Sequence, residues 1–135
     1  MIRCSYYKYN KGDTMDESIL EGLASVKGYL GGAISNYTGE CLVCDAAKLS
    51  GDLEATSATF NDIFRDSHAI SKNLKLGATQ IMEIHTEKAV ILMGCSGEES
   101  RVHLHMFAVF TSDGNVALGK MALKKILPQA VEALA

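Results

Sequence analysis

The chain has 135 residues, which suits a single domain with one hydrophobic core. Hydrophobic residues make up 47% and charged residues 21%, values that exclude a disordered or collagen-like chain. The net charge of −3 argues against a nucleic-acid partner, since phosphate backbones attract basic surfaces. No apolar run approaches the roughly 18 residues of a membrane span, so no membrane contact is expected.

The first 13 residues are polar and rich in tyrosine, and they show no helical pattern. We interpret residues 1–13 as an N-terminal extension and residues 14–135 as the domain. Because the extension lacks the apolar stretch of a secretory signal, the protein is expected in the cytoplasm. Cysteines in that compartment are usually reduced. All four cysteines are therefore expected as thiols: Cys4, Cys41, Cys44 and Cys95.

Amphipathic periodicity and turn residues divide the domain into eight elements. A capping box of Thr14 and Glu17 begins the first helix, and Asp52 caps the second. Pro128 lies inside the last helix and is expected to kink or restart it. In chain order, the predicted elements are helix 15–27, strands 30–35 and 41–45, helix 52–73, strands 78–85, 88–95 and 102–111, and helix 115–134.

The order of these elements predicts an α+β domain. No strands are joined by helices in a repeated series, which excludes a doubly wound parallel sheet. The hairpin connections instead favour a mostly antiparallel sheet, with helices covering both of its faces. The strand at 102–111 is apolar on both faces except at His103 and His105, as expected of a central strand.

A phosphate-loop pattern occurs between the last strand and the last helix. Residues Gly114 to Lys120 match G-x-x-x-x-G-K, but Met121 stands where Ser or Thr must hold magnesium. A thioether is a poor ligand for such a hard cation, so nucleotide binding is not expected. Since no serine nucleophile or carboxylate pair is marked by spacing either, we expect no enzymatic activity.

Cysteine and histidine pairs are the remaining candidates for chemistry. Cys41 and Cys44 form a C-x-x-C pair in a strand, where a three-residue offset predicts opposite faces. His103 and His105 share a strand face, but a metal site needs a third or fourth ligand. We therefore expect no metal or cofactor, although a ligand- or redox-sensing module using these pairs remains the alternative. Nothing in the spacing brings the other candidates to this pair: His68, His85 and Cys95.

Residues 15–135 resemble the roadblock/dynein light chain family, in its compact prokaryotic branch. The resemblance is carried by K-G-Y-L-G-G-A-I-S-N-Y-T-G-E at 27–40, A-T-F-N-D-I-F-R at 58–65, and the segments 103–110 and 113–118. It implies an αββαβββα, profilin-like fold with a five-stranded antiparallel sheet. It also implies a homodimer that regulates or scaffolds Ras-like small GTPases, or that serves as an adaptor in a larger complex.

The implied dimer joins two copies through the third strand and the second helix. The third strand should lie at a sheet edge, where it has one charge and no proline to block pairing with another chain. The alternative is that the isoleucines of the second helix merely widen its core-facing stripe. The predicted interface residues are Thr59, Ile63, Asp66 and Ile70 on the helix, and Ile81, Met82 and Ile84 on the strand.

Overall fold

Three helices and one five-stranded sheet make up the part of the chain described by the computed structural model, residues 15–134. The expected αββαβββα order is confirmed. A 3-10 turn at Glu17–Leu20 leads into the first helix. The elements are α1 (Glu21–Ala24), β1 (Tyr29–Asn36), β2 (Cys41–Asp45), α2 (Leu53–Asn73), β3 (Ile81–His85), β4 (Ala89–Cys95), β5 (Leu104–Thr111) and α3 (Val116–Leu134).

The sheet is antiparallel throughout, with the strand order β2-β1-β5-β4-β3. Strand β5 is central and buried on both faces, as its apolar sequence predicts. One face carries α1 and α3 over a core that includes Leu23, Phe110 and Leu123. The other face carries α2 over a smaller core around Phe64 and Phe107. Strand β3 is an edge strand, as expected.

Two helices differ from the sequence-based expectation. The first helix is only one short turn, and Asp16 caps the 3-10 turn before it, where its carboxylate accepts from the Ser18 N–H. Thr14 and the extension at 1–13 lie outside the described residues. The last helix continues through Pro128 without a restart. Among residues 15–134, no helix is long and apolar enough to cross a membrane.

Gly28 lies where a side chain is excluded by both conformation and space. Its φ is +89°, and a Cβ there would lie 2.5 Å from Gly114 Cα. Gly51 has a similar φ of +98° but nothing within 4 Å of its Cβ position, so it is a matched control. We expect Gly51→Ala to cost about 1–2 kcal/mol of unfolding free energy. We expect Gly28→Ala to cost roughly 1–3 kcal/mol more, because the clash adds to the strain. Urea denaturation measures both values, and equal losses of unfolding free energy in the two variants would contradict this packing.

Candidate functional site

Among the strands of residues 15–134, none pairs with the outer edge of β3, which therefore offers backbone groups for pairing. The Cys95 N–H donates to the Gln80 carbonyl and the Thr86 N–H donates to the Ala89 carbonyl. Hydrogen-bonded pairs alternate along an antiparallel ladder, so the even-numbered residues of β3 bond to β4. The odd-numbered residues therefore direct their backbone N–H and C=O groups to the open edge: Ile81, Glu83 and His85.

The side chains of β3 alternate between the two faces of the sheet. Met82 and Ile84 pack against the core on the α2 side. Ile81 instead lies beside Leu123 on the α3 side. The predicted interface residues of this strand are thus divided between the faces, and only two of them lie on the same side as α2.

An exposed apolar groove runs along the outer side of α2. Ile63 is 40% exposed and Ile70 is 61% exposed, so the single chain does not use them to widen its core. The other two predicted interface residues of this helix, Thr59 and Asp66, are also exposed. The groove has a volume of about 480 Å³, and its apolar lining consists of Ile63, Ile70, Leu74, Leu76 and Met82.

A second feature is a cluster of three histidines and one cysteine between α2 and the sheet. One potential ligand atom from each residue lies within 4.8 Å of all the others. The expectation that nothing joins these residues was wrong, because it considered only spacing along the chain. The β4–β5 register places Cys95 opposite His105, and α2 packs above them. The cluster consists of His68, Cys95, His103 and His105, whereas His85 lies on β3 beside Glu83.

His105 is fixed by a buried amide. The Asn61 side-chain N–H donates to the Tyr37 carbonyl at 2.8 Å, which directs the amide oxygen toward His105. His105 Nδ1 donates to that oxygen at 2.5 Å. This tautomer leaves a lone pair on Nε2, which is buried and has no hydrogen-bond partner. His105 is only 4% exposed, and burial lowers its pKa to about 4.

His68 is held in the other tautomer. The Thr79 backbone N–H donates to His68 Nδ1 at 3.1 Å, so the hydrogen of the neutral ring is on Nε2. That nitrogen is buried and has no hydrogen-bond partner. Burial also lowers the pKa of His68, which is 7% exposed. The cluster therefore contains one unpaired buried donor and one unpaired buried acceptor.

Cys95 and His103 complete the cluster. Cys95 Sγ lies 3.1 Å from His103 Nε2 and accepts from the Gly97 N–H at 3.2 Å. Burial raises the pKa of the Cys95 thiol and lowers the pKa of His103. Both groups are then neutral, and the direction of their hydrogen bond follows the tautomer of His103. The Tyr37 ring stacks on His103, with centroids 5.4 Å apart, and a shallow opening beside Glu98 leads to solvent.

The C-x-x-C pair differs from its prediction. Cys41 and Cys44 both pack in the core under α2, because the β1–β2 register shifts between Ile34 and Ser35 and turns one cysteine over. Cys41 is a free thiol, and burial raises its pKa to about 12. Cys44 is disulfide-bonded, so the expectation of four thiols was wrong. Since Cys41 is free, the two are not bonded to each other.

The sequence analysis missed Asn61 and the position of His68. The buried face of α2 carries Leu53, Ser57, Asn61, Phe64 and His68. Asn61, Phe64 and His68 follow at intervals of three and four, so the helical signal was present. It was masked because two of the three residues are polar.

The residues that match the phosphate-loop pattern have structural roles at the start of α3. Gly119 is buried in α3 against the ring of Phe110. Lys120 Nζ forms an ion pair with Glu83 at 2.8 Å, and the Asn115 side chain accepts from the Leu118 N–H. These residues therefore form a capped helix start rather than an open anion-binding loop.

We expect magnesium with GTP or ATP to leave the melting temperature of the protein unchanged. A ligand that binds the folded state must raise that temperature by mass action. Thermal denaturation at millimolar nucleotide measures it directly. A rise that depends on nucleotide concentration would contradict the helix assignment of the motif.

Comparison with known proteins identifies the fold. No protein-family model matches the sequence, and no curated protein does. A solved structure of MglB in a tetrameric arrangement superposes with a TM-score of 0.77 at 15% identity, covering 98% of this chain and 97% of that one. A roadblock/LC7 domain from Streptomyces avermitilis gives 0.71 at 8% identity, covering 84% and 92%.

This protein therefore has the fold of roadblock/LC7 domains. Among proteins with that fold, it is similar over almost its whole length to MglB, a gliding protein. The MglB of Thermus thermophilus gives a TM-score of 0.76 at 15% identity, covering 98% of both chains. The fold that the sequence resemblance implied is confirmed.

Proposed function

We propose that this chain is a prokaryotic roadblock-family protein that acts, without enzymatic activity, as a homodimeric regulator or scaffold. Its partner is a Ras-like small GTPase or a larger complex. The observation that carries the proposal is the open edge of β3, which is continuous with the exposed apolar groove beside α2. The fold shared with MglB and the sequence resemblance support the regulatory role.

A second copy of the chain is the occupant that fits this surface. A two-fold axis beside β3 brings two identical edges together, so each supplies the donors and acceptors that the other needs. The same rotation places one α2 beside its mate and covers Ile63 and Ile70, which are costly to leave in water. Backbone pairing and apolar burial thus act on the same pair of surfaces.

The proposed dimer contact has two parts: side chains of the apolar groove and backbone groups at the edge of β3. Met82 and Ile84 lie on the α2 side of the strand and extend the groove to the edge. Ile81 lies on the other side, so its contribution to the dimer is through the backbone. Ile63 and Ile70 contribute only through their side chains. Substitutions can therefore separate the two contributions.

Binding of a purified Ras-like GTPase from the same cell tests the regulatory role. We expect the dimer to bind one nucleotide state, GDP or a non-hydrolysable GTP analogue, at least about tenfold more tightly than the other. Calorimetric titration with each state measures this ratio. Equal or absent binding in both states would contradict the GTPase assignment, and it would leave the dimer to be tested separately.

A sensing module is the second candidate function. His103 and His105 converge with His68 and Cys95, and this cluster favours the sensing function. The Cys41–Cys44 pair gives it less support, because its high pKa keeps the buried Cys41 thiol in its unreactive, protonated form.

A further inference from the structure

We propose that Cys95, His103 and His105 bind a zinc ion, with His68 beside the fourth coordination position. His68 comes from α2, Cys95 from the end of β4, His105 from β5, and His103 from the position immediately before β5. Their convergence is independent of the dimer surface and does not rest on the proposed regulatory function.

His105 is already prepared as a ligand. A metal-binding histidine usually donates one ring N–H to a carbonyl or carboxylate and presents the other nitrogen to the metal. The bond from Nδ1 to Asn61 is of this kind, and Asn61 is itself held by the Tyr37 carbonyl. The remaining lone pair on Nε2 is buried among the other three groups without a partner. Such an unpaired acceptor is costly unless an ion or a donor occupies the space.

A metal ion can replace the hydrogen bond between Cys95 and His103 by binding both groups. In the free protein, Cys95 Sγ and His103 Nε2 are hydrogen-bonded to each other at 3.1 Å. When zinc binds, the S–H bond breaks and its proton leaves to solvent, so that the thiolate and His103 Nε2 both become ligands. The Gly97 N–H continues to donate to the sulfur and supports the thiolate. Glu98 lies close to His103 but forms an ion pair with Lys72, and Arg65 is also nearby, so the ligand set rather than the surrounding charge favours the cation.

His68 faces the remaining position as a donor. Because the Thr79 N–H occupies Nδ1, the hydrogen on Nε2 points into the cluster and does not coordinate. A water molecule bound to the zinc accepts that hydrogen, which satisfies the second unpaired group. Three protein ligands with one open position are common in zinc sites that retain water.

The donor set and its size favour zinc among divalent ions. One thiolate and two imidazoles suit a borderline-soft ion and not Mg²⁺ or Ca²⁺, which need oxygen ligands. Zinc bonds of about 2.0–2.3 Å require ligand atoms roughly 3.5 Å apart. The observed upper limit of 4.8 Å therefore calls for a contraction of at most about 1.3 Å. His103 is half-buried immediately before β5, and we expect its side chain to make that movement.

Metal titration of the full-length, chelator-treated protein tests the site. We expect one Zn²⁺ per chain by calorimetry, and one Co²⁺ per chain with an absorption band from thiolate-to-cobalt charge transfer. Cys95→Ser should remove that band. His103→Gln should lower the affinity by more than the roughly 10- to 100-fold typical of outer-shell partners. His68→Ala should lower it only within that range, because His68 acts through the bound water.

Two control variants separate this site from adventitious binding. His85→Ala removes the exposed histidine of β3, and Cys41→Ser removes a buried thiol outside the cluster. Both should retain zinc affinity and the cobalt band, and circular dichroism should verify that every variant is folded. The proposal is overturned if wild-type protein binds no stoichiometric zinc. It is equally overturned if Cys95→Ser and His103→Gln remain folded and bind as wild type does, or if His85→Ala abolishes binding.

Discussion

Ile70→Asp is expected to convert the dimer into a folded monomer. Ile70 is 61% exposed in the single chain, so the substitution costs the monomer no more than about 0.5 kcal/mol. In the proposed dimer, it buries a charge without a partner, at a cost of about 3–5 kcal/mol of association free energy. This corresponds to a loss of at least about 100-fold in affinity. Sedimentation equilibrium measures the change directly.

Ala69→Asp is the matched control for this prediction. It adds the same charge one position earlier on α2, at an exposed residue that does not line the apolar groove. We expect Ala69→Asp to dimerise as the wild type does. If both variants weaken the dimer equally, overall charge rather than the groove is responsible, and the assignment of the α2 surface is wrong.

Proline at two adjacent positions of β3 should have different effects, one on dimerisation and the other on the stability of the single chain. The Ile81 N–H faces the open edge, so Ile81→Pro leaves the bonds to β4 intact and removes a donor only from pairing between chains. We expect a folded monomer. Met82 is hydrogen-bonded to β4, so Met82→Pro breaks the ladder within the chain, with a loss of roughly 3 kcal/mol or more of unfolding free energy.

Denaturant unfolding and light scattering together separate these outcomes. A folded, dimeric Ile81→Pro variant would show that the β3 edge does not pair between chains. Loss of folding in Ile81→Pro, with Met82→Pro retained as a folded protein, would show that the alternation of hydrogen bonds along β3 is reversed. Either result would remove the backbone half of the proposed contact.

The order of elements was predictable because local patterns determine it. Helix α2 begins after Asp52, whose carboxylate accepts from the Ala55 N–H, as its capping sequence indicates. The edge position of β3 followed from the family resemblance and agrees with its exposure in the sheet. The helix cap depends only on residues that are close together along the chain, whereas the strand order required the resemblance.

The histidine and cysteine cluster was not predictable because it depends on register. Cys95 faces His105 only because the loop between β4 and β5 returns the chain at that position. His68 joins them only because α2 is turned so that Asn61 and Phe64 also face the sheet. The shift in register beside Cys41 was not predictable for the same reason, because a single extra residue in one strand reverses the face of a side chain.

The solution mass of the wild-type protein tests the central claim, that two chains join through β3 and α2. Each chain has a mass of 14.5 kDa. Multi-angle light scattering at tens of micromolar should give twice that mass, and Ile70→Asp under the same conditions should give the mass of one chain. A wild-type mass of 14.5 kDa at that concentration would contradict the dimer and remove the physical support for the regulatory platform.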